Sequence, residues 1–237
     1  MQNSIVGIIL LALSLPVTAA AAPEEKQVER LKEAATVLTE LHATPDSDIP
    51  RALWLKARCV IVVPGLTRAA FIIGGEFGKG AASCRTPTGR WSAPIVVEVA
   101  KGSWGAQIGA ASIDLVMLVM NERGMQRLLS NKVTLGAEAT VAAGPVGRNA
   151  EAGTDIQLQA EIIAYSRSRG LFAGVNLSGG TLRPDTDETD KFYGKPASPR
   201  QVLLEASIPT PPQAEPFIAA LRLHDTAAEI DKATPGR

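Results

Sequence analysis

Residues 59–100 read CVIVVPGLTRAAFIIGGEFGKGAASCRTPTGRWSAPIVVEVA, and this stretch decides the fold class. It divides into runs rich in β-branched and small apolar residues, CVIVVP, AAFIIGG, GAASCR and PIVVEVA, which Gly, Pro and Thr separate. The segments GEFGKG (75–80) and TPTGR (86–90) have the composition of turns. Connections this short predict antiparallel strands, because a parallel crossover needs about a dozen residues or more.

The β-rich pattern continues beyond residue 100, and helices flank it on both sides. Further strands are predicted over 102–121, 132–144, 154–168 and 170–180. Helices are predicted over 24–42, from Pro50, after Asn121, and over 187–194, 198–206 and 217–230. We therefore predict an α+β fold, with a mainly antiparallel, curled or barrel-like sheet of short strands and flanking helices at both ends.

The first 22 residues have the composition of a cleaved secretory signal peptide. Residues 5–17 read IVGIILLALSLPV, which is shorter than the roughly 20 apolar residues of a transmembrane helix. The small residues TAAAAP (18–23) follow, and they suit cleavage after Ala20, Ala21 or Ala22. The alternative is an uncleaved membrane anchor. We expect an exported protein that is periplasmic or envelope-associated.

Charge and motif content argue against several classes of function. The chain has 24 Lys plus Arg and 24 Asp plus Glu, so no global field attracts nucleic acid. Its two histidines, His42 and His224, lie in predicted helices near the chain ends, and no G-x-S-x-G or H-E-x-x-H pattern occurs. The glycine-rich stretch 75–80 lacks the spacing of a phosphate-binding loop. We expect no enzyme, no cofactor, no metal site and no nucleic-acid partner.

The sequence leaves the roles of the two cysteines and of Asp114 open. Cys59 and Cys84 both lie at ends of predicted strands, and an oxidising compartment permits a disulfide between them. The alternative is two separate buried thiols. Asp114 interrupts the apolar run SIDLVMLVM; it either belongs to a functional site or is held by a structural partner such as an arginine or backbone amides.

Three long segments resemble the SYLF-domain family: GSWGAQIGAASIDLVMLVMNERG (102–124), LGAEATVAAGPVGRNA (135–150) and AYSRSRGLFAGVNLSGGTLRPD (164–185). The resemblance runs over about residues 24–206. It implies a lipid-binding module, since some eukaryotic members bind phosphoinositides and act on actin at membranes. The chain looks like the stand-alone bacterial members, so a lipid or membrane surface is the expected partner and actin is not. Any protein partner is unknown.

Composition and the resemblance together divide the chain into a signal peptide (1–22), a SYLF-like domain (23–206), and a Pro-rich connector with a final helix (207–237). In eukaryotic members, lipid contact is associated with a basic amphipathic helix at the amino terminus. The matching helix here carries Lys26, Arg30 and Lys32, but it also carries Glu24, Glu25, Glu29 and Glu33 close to them. Its apolar stripe either meets a membrane or packs on the sheet.

Arg167 and Arg169 are the second candidate lipid contact. They stand two residues apart in YSRSRG, and on a strand this spacing places both side chains on one face. Guanidinium groups bind phosphate well, so the pair is a candidate headgroup site; the alternative is a solvated face or internal ion pairs. Two functions follow from the sequence: a non-catalytic exported lipid-binding module, or an envelope structural or protein-interaction domain without a lipid site.

Overall fold

A computed structural model describes residues 25–43, 48–70, 73–104, 109–146, 159–168 and 171–233. The helices are α1 (Glu25–Ala43), α2 (Arg51–Lys56), α3 (Glu122–Leu128), α4 (Thr186–Tyr193), α5 (Pro199–Leu203) and α6 (Glu215–Ala233), with a 3₁₀ turn at Pro212–Ala214 before α6. The strands are β1 (Cys59–Ala70), β2 (Ile73–Cys84), β3 (Ile95–Trp104), β4 (Gly109–Val119), β5 (Val133–Thr134), β6 (Val141–Ala143), β7 (Ile162–Ser168), β8 (Leu171–Gly174) and β9 (Gly180–Pro184).

The strands form one curled sheet in the order β5-β9-β3-β2-β1-β4-β7-β6, and β8 pairs with β7. Pairing is antiparallel except between β6 and β7, which are parallel. The predicted α+β class with a curled, mainly antiparallel sheet is therefore confirmed. The prediction of short strands was wrong for the centre of the sheet, because β1 and β2 have 12 residues each, β3 has 10 and β4 has 11.

The predicted turn at residues 75–80 was also wrong, because these residues lie within β2. Their glycines serve close packing on β1, whose pairing register shifts between Val62 and Thr67. A Cβ on Gly80 would lie 2.0 Å from the Val62 carbonyl oxygen, and one on Gly78 would lie 2.7 Å from a Val63 methyl. Glycine is required here by the bulge in the neighbouring strand, and not by a reversal of the chain.

Helices cover both faces of the sheet. Alternate residues of β1 point to opposite sides: Val60 and Val62 join a core with α1, α2 and α6, whereas Ile61 and Val63 join a core with α3 and α5. The stripe of α1 is buried in the first core, through Leu31, Ala34, Ala35, Val37, Leu38 and Leu41. Of the two alternatives for this stripe, the structure shows the second: the stripe packs inside the molecule.

The last helix belongs to this core as well. Phe217, Ile218 and Leu221 of α6 are fully buried beside α1. Capping of the shorter helices follows the sequence: Asn121 accepts a hydrogen bond from the Gly124 amide at the start of α3, and Asp185 accepts one from the Glu188 amide at the start of α4. The acidic residues at 185–188 thus begin a helix.

Cys59 and Cys84 are cross-strand partners where β1 begins and β2 ends, and a disulfide joins them. Within the described ranges, no helix is both long and apolar enough to cross a bilayer. The signal-peptide prediction falls on residues that lie outside the described part of the chain.

Candidate functional site

The predicted cations of α1 differ in their surroundings. Lys26 is exposed. Lys32 is also exposed, and its Nζ lies 3.7 Å from a Glu29 carboxylate oxygen. Arg30 is different, because its side chain is only 12% exposed and its Nη1 lies 3.9 Å from Glu188 Oε2. Two of the three candidates therefore remain on the outer surface, and the third is part of an internal network.

Glu188 is the centre of that network. Its carboxylate accepts hydrogen bonds from Gln27 of α1 and from Lys191 in its own helix, and it lies 3.8 Å from Lys79 Nζ. Lys79 also contacts Asp185 at 2.7 Å. The contacts join α1, α4 and β2, so the beginning of α1 is held to the sheet by charges as well as by apolar packing.

The pKa values of the two carboxyls reflect this arrangement. Burial disfavours the charged form of Asp185, but the hydrogen bonds from Lys79 and from the Glu188 amide outweigh it and hold the pKa of Asp185 below its usual value. Burial likewise opposes ionisation of Glu188, and the contacts with Lys191, Lys79 and Gln27 lower the pKa of Glu188 overall. Both groups are therefore stabilised as carboxylates.

A cleft of about 460 Å³ adjoins the network, and charged side chains line much of it. Arg183 in the cleft donates to both oxygens of Glu98 at 2.9 Å. Lys79 and Lys191 contact the carboxylates already described. Because carboxylates already contact these three cations, a single anion entering the cleft would have to displace an ion pair.

Arg167 is held in the same way. Its Nε and Nη2 lie 2.7 and 2.6 Å from Asp114 Oδ2, and it also forms an ion pair with Glu40 of α1. The second oxygen of Asp114 accepts the Gly65 amide at 2.9 Å. Both structural partners expected for Asp114, an arginine and a backbone amide, are therefore present. Arg169, the other half of the predicted pair, lies outside the described residues.

A group of cations that sequence reasoning missed lies where β1 begins and β2 ends. We call Lys56, Arg58, Arg85 and Arg90 the cationic end. Lys56 ends α2 two residues before Arg58, and the Arg85 amide donates to the Arg58 carbonyl at 2.7 Å. The turn at 86–90 is closed by a bond of 2.8 Å from the Thr86 amide to the Arg90 carbonyl. Backbone pairing thus brings two separate chain segments together.

Most of these cations lack an acidic partner. Lys56, Arg58 and Arg90 are exposed, and no ion pair joins them to a carboxylate anywhere in the described ranges. Arg85 is the exception, since its Nη2 lies 2.6 Å from Asp225 of α6. Leu55, which directly precedes Lys56 in the sequence, is a large apolar residue that is 41% exposed.

Local charge counting would have found this surface. Residues 49–97 contain one carboxylate, Glu76, against the cations Arg51, Lys56, Arg58, Arg68, Lys79, Arg85 and Arg90. The zero net charge of the whole chain hides this excess. Charge asymmetry between segments is informative about partners where the total is not.

Comparison with known proteins gives consistent similarities. The sequence profile of the Ysc84 family, described as "Las17-binding protein actin regulator", matches residues 100–224. Human SH3 domain-containing YSC84-like protein 1 is 33% identical over 193 residues, which are 81% of this chain and 56% of the human protein. Protein YSC84 of Saccharomyces cerevisiae is 31% identical over 179 residues, 74% of this chain and 38% of the yeast protein.

The SH3 domain-containing protein PJ696.02 of Schizosaccharomyces pombe is 33% identical over 176 residues, which are 73% of this chain and 40% of that protein. The chain thus spans little more than half the length of the curated vertebrate relatives and less than half of the fungal ones. The similarity covers most of this chain but only one part of each relative.

Proposed function

The chain belongs to the Ysc84 (SYLF) family, and from this premise we propose that it is a non-catalytic module that binds membrane surfaces rich in anionic lipid. The observation that carries the proposal is the cationic end, where Lys56, Arg58 and Arg90 are exposed and lack acidic partners among the described residues. Leu55, the residue before Lys56, is also exposed and offers an apolar side chain. Exposed cations together with an exposed apolar side chain suit the headgroup region of a bilayer.

The expected affinity is moderate and depends on salt. A Lys or Arg near an anionic leaflet contributes about 1 kcal/mol, so three of them contribute about 3 kcal/mol, or roughly 100-fold in affinity. This attraction falls off within a Debye length of about 10 Å at 0.1 M salt. We therefore expect binding that is reversible and that weakens when salt is added.

The protein binds in this proposal as a folded body. The stripe of α1 is buried, and Arg30 and Arg167 would have to leave their carboxylates before they met a headgroup. Lys26 and Lys32 are on the outer surface and remain candidates for a weaker contact. The cationic end requires no such rearrangement.

Vesicle co-sedimentation with a charge-matched control tests the proposal. The wild-type chain is expected to pellet with vesicles of phosphatidylcholine and phosphatidylglycerol, and not with phosphatidylcholine alone. The triple variant Lys56→Gln/Arg58→Gln/Arg90→Gln is expected to lose about 100-fold in affinity. The control Lys132→Gln/Lys195→Gln/Arg200→Gln removes the same charge from exposed positions that the proposal does not use and is expected to bind nearly as the wild type does.

Two outcomes would oppose the proposal. Equal loss in both triple variants would mean that total charge, and not this surface, determines binding. Recovery of the wild type with neither kind of vesicle would favour the protein-interaction alternative, in which the same surface meets an acidic protein.

Export belongs to the same proposal. An exported chain does not meet the cytoplasmic cytoskeleton, so the actin regulation in the family's description is not carried over. Intact mass of the chain recovered from the envelope fraction tests this part. We expect cleavage after Ala20, Ala21 or Ala22; a chain that retains its first residues would favour the membrane-anchor alternative.

A further inference from the structure

We propose that Arg85 and Trp91 form a binding site for a phosphate-type oxyanion, and that the Asp225 carboxylate of α6 occupies this site in the folded chain. Arg85 Nη2 donates to Asp225 Oδ1 at 2.6 Å, and Nη1 donates to Oδ2 at 3.2 Å. The indole Nε1 of Trp91 donates to the same Oδ2 at 3.0 Å. Three donors from the sheet end therefore hold one carboxylate from a distant helix.

The donors are positioned by contacts that do not involve α6. The guanidinium carbon of Arg85 lies 4.2 Å from the centre of a Trp91 ring, and Arg85 and Trp91 are also paired through the backbone. Arg85 Nη1 makes a further bond of 3.3 Å to the Gly89 carbonyl. These contacts keep the guanidinium and the indole N–H directed to the same place when the carboxylate leaves.

The site has donor capacity that Asp225 does not use. The Nε of Arg85 is buried and makes no hydrogen bond. A carboxylate presents two oxygens in a plane, whereas a phosphate presents three or four in a tetrahedron. Guanidinium forks bind both groups through paired N–H donors. The chemistry therefore suits a phosphate, either in a lipid headgroup or free in solution.

The location connects this site with the proposed membrane surface, and in that sense the inference rests on the proposed function. Arg85 is the cross-strand neighbour of Arg58, and the turn that contains Arg90 joins Arg85 to Trp91. The exposed cations would attract a phosphate, and release of Asp225 would give it directional hydrogen bonds. In this view, α6 carries an internal competitor that limits the affinity of the site.

The variant Asp225→Asn tests the inference, because it removes the competing charge with little change in shape. The probe is inorganic phosphate, and the readout is the indole N–H resonance of Trp91, assigned with Trp91→Phe. Asp225→Asn is expected to respond to phosphate at about tenfold lower concentration than the wild type, since hydrogen bonds to charged groups contribute on this scale. Adding Arg85→Gln to Asp225→Asn is expected to abolish the response.

Glu215→Gln is the matched control, because it also removes an ion-paired acid from α6, the partner of Arg222. An equal gain in this variant would overturn the proposal, since the effect would then come from general loosening of the helix. A Trp91 resonance that responds to neither phosphate nor phosphatidylglycerol vesicles in Asp225→Asn would also overturn it. A response to vesicles alone identifies a lipid phosphate as the ligand, and a response to phosphate alone identifies the free anion.

The wild-type chain provides the test if Asp225→Asn does not fold. Phosphate must then shift its Trp91 resonance more than chloride does at the same ionic strength, and equal shifts would overturn the proposal. Failure here is distinguishable from failure of the proposed function. Loss of vesicle binding in Lys56→Gln/Arg58→Gln/Arg90→Gln, together with unchanged phosphate binding in Asp225→Asn, would retain the membrane surface and remove the oxyanion site.

Discussion

At the scale of single residues, Asp114 connects three parts of the molecule. One of its oxygens accepts the amide of Gly65, which has a positive φ of 58° in the β1 bulge. The other accepts Arg167 of β7, which in turn pairs with Glu40 of α1. The carboxylate thus fixes an irregular strand and also holds the arginine that the sequence suggested for lipid.

Asp114→Asn is expected to lower the free energy of unfolding by about 1–3 kcal/mol, because hydrogen bonds to a partly buried charge are lost. Urea denaturation measures the change. Glu29→Gln is the control, since it removes only the exposed pair with Lys32 and is expected to cost less than about 0.5 kcal/mol. Equal effects of the two substitutions would contradict the role assigned to Asp114.

Gly80 provides a second test at this scale. A methyl group on it would lie 2.0 Å from the Val62 carbonyl oxygen, so Gly80→Ala is expected to destabilise the fold by about 1–3 kcal/mol or more. Gly102→Ala is the matched control in β3, because its Cβ would meet nothing within 4 Å. Thermal unfolding of both variants checks this. A stable Gly80→Ala would show that the bulge of β1 can move away.

The sequence alone predicted some of these residues correctly and missed others. It identified Asp114 as unusual and named its kinds of partner, because a carboxylate in an apolar run requires one. It chose the cations of α1 and of YSRSRG from a resemblance and from spacing, and neither shows which charges are paired in the fold. Lys56, Arg58 and Arg90 were missed because the charge was counted over the whole chain and not by segment. Only the pairing of Arg85 with Arg58 shows that the turn containing Arg90 lies near the other two.

At the scale of elements, the beginning of α1 depends on α4 and β2. Glu188 and Asp185 ionise more readily in the folded chain than their usual pKa values imply. A depressed carboxyl pKa stabilises the fold above the unfolded value, about 4, and this contribution is lost as the pH falls through the lower folded value. The network therefore stabilises α1 at neutral pH and weakens in acid.

Lys79→Met is expected to destabilise the fold at pH 7 by removing the cation shared by Asp185 and Glu188. The difference from the wild type is expected to shrink as the pH falls below about 4, and to vanish once the pH is below the lowered folded pKa values of both carboxyls. Urea denaturation across this range measures it. Lys101→Met is the control, because Lys101 bonds a backbone carbonyl; a pH-independent cost in Lys79→Met would contradict the account.

Helices were easier to predict than strands. The predicted helix 24–42 agrees with α1 (Glu25–Ala43) to within one residue at each end, and Asn121 was correctly predicted as a helix cap. The reversal between β1 and β2 was misplaced to 75–80, because glycine marks both turns and close strand packing. The partner strand, whose pairing with β2 shifts register between Val62 and Thr67, distinguishes the two uses.

At the scale of the whole molecule, the sheet separates two hydrophobic cores and contributes residues to both, with helices packed on each face. The final helix, which the sequence placed beyond the family-like segment, supplies buried residues to the first core and an acid to the sheet end. Within the described residues, this packing leaves Lys56, Arg58 and Arg90 of the cationic end exposed and without acidic partners, and the membrane proposal rests on them. The resemblance alone pointed to α1 as the membrane contact. The structure points elsewhere, because the apolar stripe of α1 is buried.

Hydrogen–deuterium exchange with and without phosphatidylglycerol vesicles tests most directly whether the folded protein docks by this surface. Peptides covering residues 51–58 and 85–91 are expected to exchange more slowly on binding, and those of α1 (Glu25–Ala43) are expected to keep the protection they have in solution. Faster exchange in α1 on vesicle binding, with no change in the other two segments, would contradict the account, because the helix would then have left the core to meet the lipid.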